Sequence, residues 1–334
     1  MNPTTISILQ TARRVAQKAQ RVLGHRDDDA RRRHPLAVRY QGQAASEMIR
    51  EKLLAAEPCM ITRIGATELK AALRFSNRKG VVFRNPWGYV LGKQEAFWWD
   101  DQIRWEMQYS SGFFPCTDDL LDRFARRFLR DIRQTDVLGS WLKAESELAE
   151  HLSGAQIVGL TDLEPYYRRD PWTTALEGRT VLVIHPFDIS IRKQYEKREV
   201  LFADPRILTK FTLKTLKAVQ SLGRFGPTGF KSWFDALDSM CARVEETNFD
   251  VALIGAGAYG LALAAFVKSI NRKAIHLGGA TQILFGIRGQ RWDERPFFQQ
   301  FFNEHWSRPL PEETPPHQQI ESRNGYRDDG RCYW

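Results

Sequence analysis

Arg63, Gly65 and Glu68 stand where a short apolar run, Cys59 to Ile64, gives way to a stretch of good helix formers, Glu68 to Leu73. That order predicts a strand, a tight turn and a helix. Open α/β sheets bind ligands where strands end and helices begin, and backbone N–H groups there favour anions. Arg63 adds a planar fork suited to phosphate or carboxylate, and Glu68 adds a proton acceptor, hydroxyl acceptor or metal ligand. An Arg–Glu pair that only holds the turn together is the competing reading.

A second chemical stretch is Gly255-Ala256-Gly257-Ala258-Tyr259-Gly260, which follows the apolar run Val251 to Ile254. Its three glycines match the dinucleotide fingerprint, so an NAD(P)-dependent oxidoreductase is a rival function. That function expects a carboxylate about 20 residues further on, at the end of the next strand. His276, Leu277 and Gly278 stand there instead. The glycines still allow a phosphate or diphosphate to approach the backbone, and Gly278-Gly279 ends the strand from Ala274 to Leu277 in the same manner. His185 closes another strong strand, Val181 to Ile184, ahead of Pro186 and a basic helix from Ile189 to Leu201. It reads either as a site residue or as a hydrogen-bonded loop histidine.

The elements that must position these residues alternate in type. Helix is expected from Gln43 to Ala56, Lys210 to Leu222, Phe230 to Thr247 and Leu261 to Ile270, and strand from Ile157 to Leu160. Gly80 to Leu91 reads as a hairpin or irregular loop. Residues about 92–150 read as a helical, aromatic-rich insertion, with a helix capped by Thr117 or Asp118. The fold class expected is α/β, a Rossmann-like, mostly parallel sheet flanked by helices. Its divisions are a basic helix and linker over 1–42, the α/β domain over 43–310 and a surface tail over 311–334.

Composition narrows the function classes. The chain has 334 residues, 43% of them hydrophobic, which is globular rather than disordered. It carries a net charge of +9. Residues 1–50 hold ten basic and four acidic residues, a surplus of six. Within them, residues 6–23 form an amphipathic basic helix that could lie on an anionic membrane or, the preferred reading, pack on the domain. No zinc-finger, RNA-binding or helix-turn-helix signature accompanies the charge, so nucleic acid is not expected as a partner. Four scattered cysteines indicate neither a disulfide framework nor a zinc site. No apolar run is long enough to span a bilayer and no signal peptide is evident, so a cytoplasmic protein is expected, at the inner face of the membrane if the helix touches lipid. Nothing in the sequence sets the oligomeric state.

Arg63-x-Gly65-x-x-Glu68, together with Asp250 to Trp292 and its Gly255–Gly260, Gly278-Gly279-Ala280-Thr281-Gln282, Phe285-Gly286 and Arg291-Trp292, resembles the GT-D type glycosyltransferases of bacterial polysaccharide and glycoprotein glycosylation loci. His185-Pro186-Phe187 and the closing Cys332-Tyr333-Trp334 share the likeness, which spans roughly residues 45–334. The resemblance implies a domain that transfers a sugar from a nucleotide-sugar donor to a hydroxyl of a glycan or lipid-linked acceptor. It implies that Arg63, Gly65, Gly255, Gly257, Tyr259, Gly260, Gly278 and Gly279 bind the donor, and that Glu68, Arg63 and His185 act in catalysis. The best-known branch carries Asp-x-Glu in the turn and uses a divalent metal. Here Ala66 replaces that Asp, leaving Glu68 as either a single Mn²⁺ or Mg²⁺ ligand or the base that deprotonates the acceptor. A noncatalytic nucleotide-binding subunit is a further alternative.

Overall fold

The computed structural model describes residues 3–22, 36–79, 85–222, 228–314 and 333. The acidic and basic run at 27–33, Gly80, most of the glycine-bearing loop at 223–229, Cys332 and Trp334 lie outside the described residues. Seven strands form one all-parallel sheet: β1 (Met60–Arg63), β2 (Val137–Ser140), β3 (Gln156–Gly159), β4 (Thr180–His185), β5 (Thr212–Lys217), β6 (Val251–Ile254) and β7 (Lys273–His276). Their order is β3-β2-β1-β7-β6-β4-β5, and every pairing is parallel.

The helices, in chain order, are α1 (Pro3–Val22), α2 (Gln43–Leu54), α3 (Ala66–Lys79), α4 (Pro86–Val90), α5 (Asp101–Tyr109), α6 (Asp118–Asp131), α7 (Asp188–Tyr195), α8 (Arg198–Leu201), α9 (Trp233–Glu245), α10 (Tyr259–Ser269) and α11 (Ala280–Leu284), with two short helices after them. Parallel sheets need cover on both faces, and the strand sequences supply an apolar residue to each. Leu182, Ile184, Ala252 and Ile254 meet α3, α6, α9 and α10 on one side. Val181, Val183, Val251 and Leu253 meet α2, α7 and α11 on the other. The helices that follow the neighbouring strands β1 and β7, α3 and α11, therefore sit on opposite faces. Such a reversal opens a crevice beyond the carboxyl ends of the two strands.

Several elements differ from expectation. The expected helix at 210–222 is instead the edge strand β5, paired with β4 from Thr180↔Thr212 to His185↔Lys217. Phe211, Leu213, Leu216 and Val219 mimic helical spacing, but an edge strand has only one neighbour to satisfy and Thr212 and Thr215 favour extended backbone. Strand β2, inside the expected helical insertion, joins β1 and β3 at the middle of one half of the sheet. Helix in that stretch breaks after Gln134 for β2 and resumes as a 3-10 helix over Lys143–Leu152. The single helix expected over Ile189 to Leu201 is broken into α7 and α8. Within the stretch read as a hairpin or loop, Pro86–Val90 is helical, started by Asn85, which accepts a hydrogen bond from Gly88 N–H.

The basic N-terminal helix packs on the domain. Ile6, Leu9, Ala12 and Ala16 lie against Tyr89, Val90 and Trp98. Cys59, Cys116 and Cys241 are free thiols. No helix among the described residues is long and apolar enough to cross a membrane.

Candidate functional site

Because the strands are parallel, their carboxyl ends lie along one edge. In register, Ile184 is level with Ile254 and Ile254 with His276, while Arg63 is level with Gly139. The residues that follow surround a cleft of about 380 Å³, within the usual size of a small-ligand pocket. Arg63, Gly65, Glu68, His185, Gly255, Gly257, Tyr259, Gly278 and Gly279 all line it. Of the expected site residues, Gly260 alone sits behind the wall.

The turn after β1 explains its own spacing. A Cβ at Gly65 would lie 1.9 Å from the Glu68 carboxylate, so glycine is needed there for Glu68 to fold back over the turn. The Glu68 carboxyl is pushed above its usual range by burial, opposed by hydrogen bonds from its own N–H and from Ser111 and by the charge of Arg63. Arg63 turns elsewhere. Its guanidinium lies 5.0 Å from the ring centre of Trp141, and Trp141 Nε1–H donates to Ile64 C=O at 2.8 Å. Burial depresses the Arg63 pKa most, with Tyr333, Glu164 and Glu68 opposing and Arg291 adding to the depression. The two residues thus face one cleft from separate supports rather than forming an ion pair that closes the turn.

The glycine-rich turn has a different explanation from the fingerprint. A Cβ on Gly255 would meet His185 at 2.5 Å and Gly278 C=O at 2.7 Å, and one on Gly260 would meet His276 Nε2 at 2.1 Å. Two of the three glycines therefore admit protein side chains. Gly255 N–H bonds Ile184 C=O, Ala258 N–H bonds Ser111 C=O, and Gly260 N–H bonds Gly257 C=O. Among the described residues this leaves Ala256 and Gly257 to offer N–H groups to a ligand, with Gly257 holding the turn open at φ +52°.

His185 is buried, and its Nδ1 accepts the Phe187 N–H at 3.0 Å, so the proton of the neutral ring sits on Nε2. Burial lowers its pKa to about 3, making it a neutral donor at ordinary pH. His276 is held down to about 3 by burial and by Arg63, and its Nδ1 lies 3.1 Å from Thr62 Oγ1. Tyr259 gives the cleft only part of its surface. Its ring stacks on Trp233 at 5.0 Å and its hydroxyl lies 2.8 Å from Ser221 Oγ.

Sequence reasoning missed Ser111, Trp141, Glu145 and Glu164. Glu145 is wholly buried, accepts from Ser140 Oγ at 2.5 Å and from Trp141 N–H at 3.2 Å, and is pushed to about 7 by desolvation. Glu164 is bonded by the Tyr166 hydroxyl, and burial raises its pKa against the pull of Arg63, Arg295 and Arg291. Recognising Val137-Leu138 as a strand would have pointed to Trp141. Tyr333 and Arg291 join the lining, and Tyr333 C=O accepts from Gln282 Nε2 at 3.2 Å.

The donor set suits an anion more than a divalent cation. Glu68 is already engaged by Ser111, Asp131 is bonded to Arg127 and Arg130, and among the described residues no three His, Cys, Asp or Glu side chains gather to hold an ion. Glu68 would therefore be a single protein carboxylate on any ion held there. Comparison with protein-family models, with curated proteins and with solved structures gives no match to this chain.

Proposed function

We propose that the chain is a glycosyltransferase that moves a sugar from a nucleotide-sugar donor to an acceptor hydroxyl. The observation that carries this reading is the convergence of Arg63, Glu68 and the two glycine turns on one cleft at the carboxyl edge of the sheet. The donor's diphosphate would lie against Arg63 and Arg291, with Nε2–H of His185 and the N–H groups of Ala256 and Gly257 as neutral donors. As the sugar–phosphate bond breaks, negative charge grows on the leaving diphosphate, and fixed donors of this kind stabilise it more than they stabilise the ground state. Glu68 is suited to take the acceptor's proton, since burial raises its basicity. A dinucleotide reading lacks its ribose ligand: β7 ends in His276, turned beneath Gly260.

Calorimetric titration with uridine, guanosine and cytidine diphosphate sugars, each with and without Mn²⁺, and with NADH tests the reading. A nucleotide sugar should bind without Mn²⁺. Arg63→Ala should weaken that binding by roughly 10- to 100-fold, the worth of a charged hydrogen bond. Glu68→Gln should keep donor binding and lower transfer by about 10² or more. Binding of NADH alone would reverse the assignment.

A further inference from the structure

Exposed apolar side chains gather on the packed pair α1 and α4. Of the six exposed large apolar side chains among the described residues, four lie here: Ile8 at 62%, Val15 at 64%, Trp87 at 73% and Leu91 at 44% exposure. Ile8 and Val15 are seven residues apart and so share one stripe of α1, about a quarter-turn round the helix from the stripe of Ile6, Leu9, Ala12 and Ala16 that packs on Tyr89, Val90 and Trp98. The pairing is fixed by Arg13, whose guanidinium lies 4.5 Å from the Tyr89 ring centre and donates to the carbonyls of Tyr89 and Gln94 at 3.1 and 3.2 Å. Burying the inner stripe therefore leaves the second one without a partner among the described residues.

Charge says what would cover it. Residues 3–22 and 85–93 contain no Asp or Glu, and carry Arg13, Arg14, Lys18, Arg21 and Lys93. Arg14, Lys18 and Lys93 are exposed. We propose that α1 and α4 together form a docking surface for an anionic lipid bilayer, with Ile8, Val15, Trp87 and Leu91 entering the interface and Arg14, Lys18 and Lys93 meeting the headgroups. An indole with one wet and one apolar side is suited to that depth, and cations flanking an apolar stripe are what an anionic surface attracts. A nucleic acid would engage the cations but gives Ile8, Val15 and Leu91 nothing to contact. The surface is separate from the cleft, so it stands or falls independently of the transferase reading.

The test is co-sedimentation of the full chain with vesicles of phosphatidylcholine alone and with added phosphatidylglycerol. Binding is expected to the anionic vesicles only and to weaken with salt. Arg14→Gln, Lys18→Gln and Lys93→Gln combined should weaken it roughly a hundredfold, at about fivefold per cation. Ile8→Ser, Val15→Ser and Trp87→Ser combined should weaken it about tenfold or more, with circular dichroism and melting unchanged because all three side chains are exposed. Failure to bind anionic vesicles, or binding by the serine variant equal to the parent's, overturns the proposal. So does binding to an RNA or DNA duplex without binding to vesicles.

Discussion

Gly65 and Gly260 are both required by a close approach, yet what approaches them differs. At Gly65 the neighbour is the far end of the Glu68 side chain, which can swing aside. At Gly260 it is the ring of His276, buried and tied to Thr62. Gly65→Ala should thus leave stability within about 1 kcal/mol of the parent while displacing the Glu68 carboxylate and lowering transfer, whereas Gly260→Ala should cost about 1–3 kcal/mol by overpacking. Urea unfolding of the two variants without ligand separates the cases. Equal stability loss in both would mean that the Glu68 side chain is as firmly held as the histidine. The spacing of Arg63, Gly65 and Glu68 was legible because the turn is local. The reason for Gly260 was not, since His276 reaches it from another strand.

At the scale of elements, β2 matters most for the cleft. Its last residue, Ser140, and the following Trp141 are fixed by the Glu145 carboxylate, and Trp141 in turn carries Arg63 on its face. Trp141 is therefore a positioning residue for the arginine. Trp141→Ala removes a cation–π contact and a hydrogen bond to Ile64 C=O, together about 1–2 kcal/mol, so donor affinity in the titration should fall roughly tenfold. Trp141→Phe keeps a ring under Arg63 and should recover part of that loss. No change in either variant would show that Arg63 holds its place without the indole. β2 escaped sequence reading because four residues with two apolar side chains carry too little period to identify. β5 was misread for the opposite reason: its apolar spacing fits a helix, and only pairing with β4 decides for strand.

Across the whole molecule, buried titratable groups pull stability in two directions. His185 and His276 have folded pKa values near 3 against an ordinary 6.5, so the unfolded chain binds more protons between those values. Their contribution is complete above pH 6.5 and is lost as pH falls, by about 1.4 kcal/mol per pH unit for each. Glu145, raised from 4.5 to about 7, contributes stability below pH 4.5 that is lost as pH rises through 7. Glu68, Glu164 and Asp131 are shifted in the same sense by burial. Melting curves across pH should show His276→Asn flattening the acid limb and Glu145→Gln removing part of the decline toward pH 7. Unaltered pH profiles in both would mean that neither group changes its proton affinity on folding.

The sequence by itself determined the strand–turn–helix units around Arg63 and Gly255, the alternating α/β class and the apolar faces of most helices, because each rests on residues within a few turns of one another. It also determined the basic, amphipathic character of α1. Only the tertiary structure decided the order β3-β2-β1-β7-β6-β4-β5, which sets Arg63 near a glycine turn almost two hundred residues away. Strand order depends on which faces and edges find cover over long separations, and no local pattern encodes that. The same non-local packing set Gly255 against His185 and Gly260, in α10, against His276, so two glycines of an apparent dinucleotide fingerprint make room for histidines that end β4 and β7.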